Sequence, residues 1–177
     1  RKWIDMGIQP VNISVNQSKI VFYHENYISE LKFLLKEYDV SASYITLEVL
    51  ESTVIEDFKL FNQILLEVKK LGFSVSLDDF GSGYSSLNVL SKLTIDELKI
   101  DRIFLHIDSD LENKKTKWIL EVIINIAKKS NIRVVVEGVE SIEDDRFVRC
   151  LGANVGQGYY YSRPLSIDAF NDLIHKK

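Results

Sequence analysis

Residues 73–87 read FSVSLDDFGSGYSSL, a short apolar strand pattern that ends on two adjacent aspartates and a glycine-containing turn. The carboxylates of Asp78 and Asp79 repel each other, and desolvating them costs free energy. A divalent cation between the two would make the pair favourable. Taken alone, the pair fits a helix N-cap or a solvated turn equally well.

The same alternation of a short strand and an amphipathic helix runs along the whole chain. β-branched residues mark the strands, and apolar residues spaced three and four apart mark the helices. The predicted strands cover Val11–Val15, Ile45–Val49, Phe73–Leu77, Glu97–Ile100, Ile132–Val136 and Ala153–Val155. The predicted helices cover Tyr27–Tyr38, Phe58–Leu71, Thr116–Lys129, Asp144–Leu151 and Ser166–His175.

A series of strand–helix units predicts a parallel sheet in an α/β fold. We favour a TIM-like (β/α)8 barrel variant, of which the 177 residues would supply about six βα units. The alternative is an open doubly wound sheet. The barrel is favoured because every predicted strand carries a polar residue near its carboxyl end, whereas an open sheet gathers its ligands at one switch point. These residues are Asn12, Ser14, Glu48, Asp78, Asp79, Lys99, Glu137 and Gln157, with Glu140 just beyond the fifth strand.

The carboxylates in this set point to a metal site. In a barrel, Glu48, Asp78, Asp79, Glu137 and Glu140 would converge on one rim, where cations must offset their charge. Oxygen ligands without His or Cys suit Mg²⁺ or Mn²⁺, and a pair of such ions suits phosphoester hydrolysis. Simpler explanations remain open for single residues: Lys99 could pair with Asp96 or Asp101, and Glu140 could be a charge at a helix start.

Composition narrows the class of protein. The net charge of −4 argues against a binder of nucleic-acid polymers. The single Cys150 fits a reducing compartment, and we expect it to be a small core residue. The sequence has no apolar stretch long enough to span a bilayer, so we expect a cytoplasmic domain, although the parent protein could be anchored in a membrane.

An ordered series of motifs resembles the EAL family over almost the whole chain. The motifs are VNIS (residues 11–14), LEVLES (47–52), DDFGSGYSSL (78–87), LKID (98–101), VEGVES (136–141) and QGYYYSRPL (157–165). The family comprises phosphodiesterases with a variant TIM barrel that hydrolyse cyclic di-GMP to linear pGpG. The resemblance therefore implies a magnesium- or manganese-dependent hydrolase of bacterial second-messenger signalling.

The resemblance also implies roles for individual residues. Asn12, Glu48 and Asp78 would bind one metal ion, and Asp78, Asp79 and Glu137 the second. Lys99 would orient or polarise the attacking water, with Gln157 and Glu140 supporting the water network and metal shell. Glu51 would anchor the loop after Asp79, and residues 81–85 of that loop, with the adjacent helix, would contribute to a homodimer contact. Among the positions that would support this loop or the substrate are Ser14, Gly81, Ser82 and Gly83.

One departure from the family is the absence of the Glu-Ala-Leu signature, whose Glu is a metal ligand and which is followed by a substrate-binding Arg. Both would precede Arg1, and residues 1–7 read as the end of a helix with Gly7 as its cap. We therefore expect residues 1–177 to be a partial EAL domain in a longer protein that includes sensory or GGDEF-type domains. A catalytically silent module that binds cyclic di-GMP or a protein is the alternative function, especially for this fragment.

Overall fold

The computed structural model describes residues 1–54, 58–81, 90, 93–105 and 110–175. Its strands are β1 (Ile13–Gln17), β2 (Ile45–Leu50), β3 (Ser74–Phe80), β4 (Glu97–Ile100), β5 (Arg133–Val136) and β6 (Val155–Gly156). Its helices are α1 (Lys2–Asp5), α2 (Lys19–Phe22), α3 (Tyr27–Tyr38), α4 (Glu51–Val54), α5 (Phe58–Lys70), α6 (Asp110–Lys129), α7 (Ile142–Leu151) and α8 (Ile167–His175). Two 3₁₀ turns cover Ala42–Tyr44 and Arg102–Phe104.

All six strands form one sheet in the order β1-β2-β3-β4-β5-β6, and each pair is parallel. A doubly wound sheet would instead reverse its strand order at a switch point. The unbroken order is that of consecutive units in a (β/α)8 barrel, so the predicted fold class is confirmed.

The two faces of the sheet differ in chemistry. One face carries apolar side chains that join the core with α5 and α6, including Leu77 and Leu98 from the strands and Leu65 and Ile124 from the helices. The opposite face carries polar side chains, because strand side chains alternate. On β2, β3 and β4 these are Thr46, Glu48, Ser76, Asp78, Glu97 and Lys99, all buried. The inner face of the sheet is therefore the place where charged groups meet.

Several predicted boundaries differ from the observed ones. The first strand is Ile13–Gln17, so it begins and ends two residues later than expected. Just before it, the side chain of Asn12 bonds the start of β2 and the preceding turn: Thr46 Oγ1 donates to Asn12 Oδ1 over 2.8 Å, and Asn12 Nδ2 donates to the Ser43 carbonyl over 3.2 Å. The sixth strand is reduced to Val155–Gly156. Helix α6 begins at Asp110, earlier than predicted. Residues 110–117 are mostly polar and lack a clear apolar period, so their sequence does not reveal the start of the helix.

Cys150 lies in α7 as predicted, but its side chain is exposed, so the prediction of a core residue is wrong. The apolar anchor of α7 is Val148, which is buried. In the part of the chain that the structure describes, no helix is both long and apolar enough to cross a membrane.

Candidate metal and active site

A β-bulge brings the two adjacent aspartates to the same edge of the sheet. Leu77 pairs with Leu98 and Phe80 with Ile100, so Asp78 and Asp79 together oppose one residue of β4. Neighbouring side chains of a regular strand point to opposite faces, and a bulge with one left-handed residue removes that restriction. Asp79 has φ +56°, and its backbone N–H donates to Asp78 Oδ1 over 3.1 Å.

The bulge places the aspartates beside Glu137, which follows β5. One carboxylate oxygen from each of Asp78, Asp79 and Glu137 lies within 4.8 Å of the others. This spacing suits ligands of a common hard cation, and the donor atoms are all oxygens. The cluster joins the carboxyl ends of β3 and β5, as expected for the rim of a barrel.

Lys99 lies on β4, between these two strands, and its ammonium contacts the cluster. Its Nζ lies 2.7 Å from Glu137 Oε1, 2.9 Å from Asp78 Oδ1 and 3.1 Å from Glu48 Oε1. The simpler salt bridges considered from the sequence are not formed. Asp96 instead pairs with Lys69 over 2.6 Å, and Asp101 accepts the Ile103 N–H of the following 3₁₀ turn.

Burial and charge shift the pKa values of the cluster. Desolvation raises the pKa of the Glu137 carboxyl, and the opposing effect of Lys99 does not cancel it. Burial and the neighbouring Asp78 also raise the pKa of Asp79. Burial lowers the pKa of Lys99, but its hydrogen bonds to Glu137 and Asp78 outweigh this effect, so the net shift is upward. Lys99 is therefore an ammonium ion at neutral pH.

Two further residues support the site. Gln157 Nε2 donates to Glu137 Oε1 over 3.1 Å, the same oxygen that Lys99 contacts. Glu51, only 4% exposed at the start of α4, accepts the Gly81 N–H over 3.1 Å. A buried carboxylate thus fixes the first residue after β3, which agrees with the loop-anchoring role that the resemblance implies for Glu51.

The structure does not bring every predicted residue to the cluster. The side chain of Asn12 lies at the opposite end of β2, as described above, and this corrects its expected placement beside Glu48. Ser14 of β1 pairs with Thr46 of β2, nearer the start of the strands than Glu48. Glu140 is exposed, and its backbone N–H donates to Asp144. Ser82 and Gly83 lie outside the described residues.

Asn16 occupies the position that was expected for Asn12. It pairs with Glu48 in the β1–β2 register. Residues 15–18 (VNQS) repeat the pattern of residues 11–14 (VNIS), so the motif alone does not distinguish the two asparagines. Asn12, Ser14 and Asn16 are spaced two apart and share one face of a strand, so a four-residue change of register exchanges the two asparagines without changing the face.

The family model described as EAL domain matches residues 1–164 of the chain. The chain belongs to the EAL domain family. The resemblance of the motifs is thereby confirmed. The carboxylates, Lys99 and Gln157 described above all lie within the matched range of this EAL chain.

Curated relatives share the sequence of this EAL chain over part of their own length. The bifunctional diguanylate cyclase/cyclic di-GMP phosphodiesterase MucR of Pseudomonas aeruginosa is 36% identical over 165 residues, which cover 93% of this chain and 24% of MucR. The cyclic di-GMP phosphodiesterase PdeR of Escherichia coli is 34% identical over 170 residues, which cover 96% of this chain and 25% of PdeR. The chain thus spans about a quarter of these relatives.

Solved EAL structures share the fold. The MucR phosphodiesterase in complex with c-di-GMP superposes with a TM-score of 0.86 at 34% identity, covering 96% of this chain and 68% of that one. A manganese/cy-diGMP complex of Klebsiella pneumoniae BlrP1 gives a TM-score of 0.79 at 25% identity, covering 92% of this chain and 41% of that one. A calcium complex of BlrP1 is also known. Hard divalent cations therefore occur in EAL structures, and the all-oxygen cluster here fits such ions.

Proposed function

We propose that this chain forms the core of a phosphodiesterase domain that hydrolyses cyclic di-GMP to linear pGpG with the help of divalent metal ions. The observation that carries the proposal is the meeting of carboxylates from β2, β3 and the end of β5 around one buried lysine. The substrate follows from the relatives, since MucR and PdeR are named for cyclic di-GMP hydrolysis.

Two Mg²⁺ or Mn²⁺ ions would be held by Glu48, Asp78, Asp79 and Glu137. The spacing of the Asp78, Asp79 and Glu137 oxygens supports this assignment, and the shared contact with Lys99 brings Glu48 to the same place. When bound, such ions would stabilise charge on the phosphoryl group and make the attacking water more acidic. Without them, the acidic rim would repel a doubly anionic substrate.

The chain's own residues would then supply position and charge. Lys99 would hold its proton throughout and orient the attacking water from its fixed place among the carboxylates. Gln157 would keep the Glu137 carboxylate turned toward the site through the same oxygen that Lys99 contacts. Glu51 would fix the start of the loop that follows Asp79 through Gly81.

Regulation by assembly is a further part of the proposal. Residues 81–85 would contribute to a homodimer contact, so that the Glu51–Gly81 hydrogen bond would couple dimerisation to the aspartate pair. The relatives are about four times longer than this chain, so sensory or GGDEF-type domains would control the activity of the parent protein.

The direct test is a cyclic di-GMP hydrolysis assay on the full-length protein with Mg²⁺ or Mn²⁺. We expect turnover that excess EDTA abolishes and that Glu48→Ala removes with little loss of fold. Glu67→Ala is the matched control, because Glu67 is an exposed residue of α5 that pairs only with Lys70 among the described residues. Unchanged turnover in EDTA would refute the metal role, and tight binding of cyclic di-GMP without hydrolysis would favour a silent binding module.

A further inference from the structure

Lys99 has unusual surroundings for a lysine. It is 5% exposed, and its ammonium contacts carboxylates from three different segments: β2, β3 and the end of β5. An ammonium has three N–H donors, and these three contacts are enough to use all of them. A buried carboxylate must be compensated by an opposite charge or by hydrogen bonds, and Lys99 supplies both to three carboxylates at once.

We infer that Lys99 is the internal counter-ion of this site: it stabilises the carboxylates of the metal-free protein, and its charge weakens the binding of metal ions. The metal part of this inference rests on the proposed function; the counter-ion part rests on the contacts alone. Orienting the attacking water is a separate role, which Lys99 could fill in addition.

The formal charges of the site indicate what Lys99 would contribute once metal ions are bound. The carboxylates of Glu48, Asp78, Asp79 and Glu137 carry a formal charge of −4, which Lys99 reduces to −3. The Glu of the signature expected upstream of Arg1 would add one more negative charge, so two divalent ions would leave the site neutral with the lysine and negative without it. The lysine thus removes negative charge from the loaded site, which suits an anionic phosphodiester, at the expense of affinity for the metal.

The geometry allows the ammonium and a metal ion to be present together. The contacts of Lys99 go to one oxygen of each carboxylate: Oε1 of Glu48, Oδ1 of Asp78 and Oε1 of Glu137. A metal ion could approach the second oxygen of each without expelling the lysine. The two cations would then repel each other across shared ligands, and this coupling must be reciprocal.

The test compares Lys99→Met with Lys69→Met in the full-length protein. Lys69 is the matched control, because it pairs with Asp96 at the opposite end of the sheet and is partly exposed. In EDTA, Lys99→Met should lower Tm by about 6–20 °C, the cost of leaving buried carboxylates without their partner, and Lys69→Met by much less. In Mn²⁺ titrations by calorimetry, Lys99→Met should bind Mn²⁺ on the order of tenfold to a hundredfold more tightly than wild type, and Lys69→Met with unchanged affinity.

Each outcome separates the two proposals. Equal or weaker Mn²⁺ affinity in Lys99→Met, with normal binding by wild type, would overturn the inference and leave the proposed function intact. If the wild type does not bind Mn²⁺, the proposed metal site is wrong, and so is the inference that the charge of Lys99 weakens metal binding there. If Lys99→Met is unfolded in EDTA, circular dichroism should show that Mn²⁺ folds it. A variant that stays unfolded at saturating Mn²⁺ would contradict the inference, because the ions would then fail to replace the ammonium.

Discussion

Gly81 links the aspartate pair to the loop that follows, and replacing it with alanine should be costly. Its φ is +98°, and a Cβ built at this position would lie 2.3 Å from Cε2 and 2.6 Å from Cζ of the Phe104 ring. The left-handed backbone alone costs an alanine about 1–2 kcal/mol, and overpacking against a ring adds about 1–3 kcal/mol. Gly81→Ala should therefore lower the free energy of unfolding by about 2–5 kcal/mol.

Gly7 provides the control for this prediction. It also has a positive φ, +72°, but a Cβ there would meet nothing within 4 Å. Gly7→Ala should cost only the backbone strain, about 1–2 kcal/mol. Urea denaturation followed by circular dichroism measures both variants, and Gly81→Ala made in a Phe104→Ala background should cost no more than Gly7→Ala. Equal costs for the two alanines in the wild-type background would refute the steric argument.

Three more predictions follow from the contacts around the sheet. Arg133→Met should lower the free energy of unfolding by about 1–3 kcal/mol, because it leaves the buried Glu97 carboxylate without the guanidinium that bonds it over 2.6 Å. Adding Glu97→Gln to this variant should restore much of the lost stability in denaturation experiments. Burial raises the pKa of the Glu137 carboxyl, so the folded state holds that proton more tightly than the unfolded state. In EDTA, the wild type should therefore lose stability relative to Glu137→Gln as the pH rises from the ordinary carboxyl pKa through the raised one. A difference in Tm between the two proteins that does not change with pH would contradict this. Asn12→Ala should lower the free energy of unfolding by about 1 kcal/mol, because it removes the hydrogen bond from Thr46, and should leave the affinity for Mn²⁺ unchanged. A clear loss of Mn²⁺ affinity by calorimetry would show that β1 pairs four residues away from the register described here.

Sequence periodicity predicted most of the fold because each element has one apolar face. Helix α3 and strand β4 were predicted with their observed bounds, Tyr27–Tyr38 and Glu97–Ile100. The convergence of Glu48, Asp78 and Glu137 was also predictable, since the carboxyl ends of parallel strands meet at one edge of a sheet.

The remaining features depend on contacts that no local pattern contains. The register of β1 was not predictable, because the face of a strand repeats every two residues, so that a shift of four residues keeps the same side chains on the same face. The bulge at Asp78 and Asp79 depends on a left-handed residue within a strand, which an apolar alternation does not reveal. The partners of Lys99 come from other strands, while the nearer Asp96 and Asp101 bond elsewhere.

Anomalous diffraction from crystals of the full-length protein grown with Mn²⁺ would test the metal centre most directly. We predict an anomalous peak within coordination distance of Asp78, Asp79 and Glu137, with Lys99 still in contact with Asp78 and Glu137. Peaks found only at other positions, with none within coordination distance of these three carboxylates, would contradict this prediction.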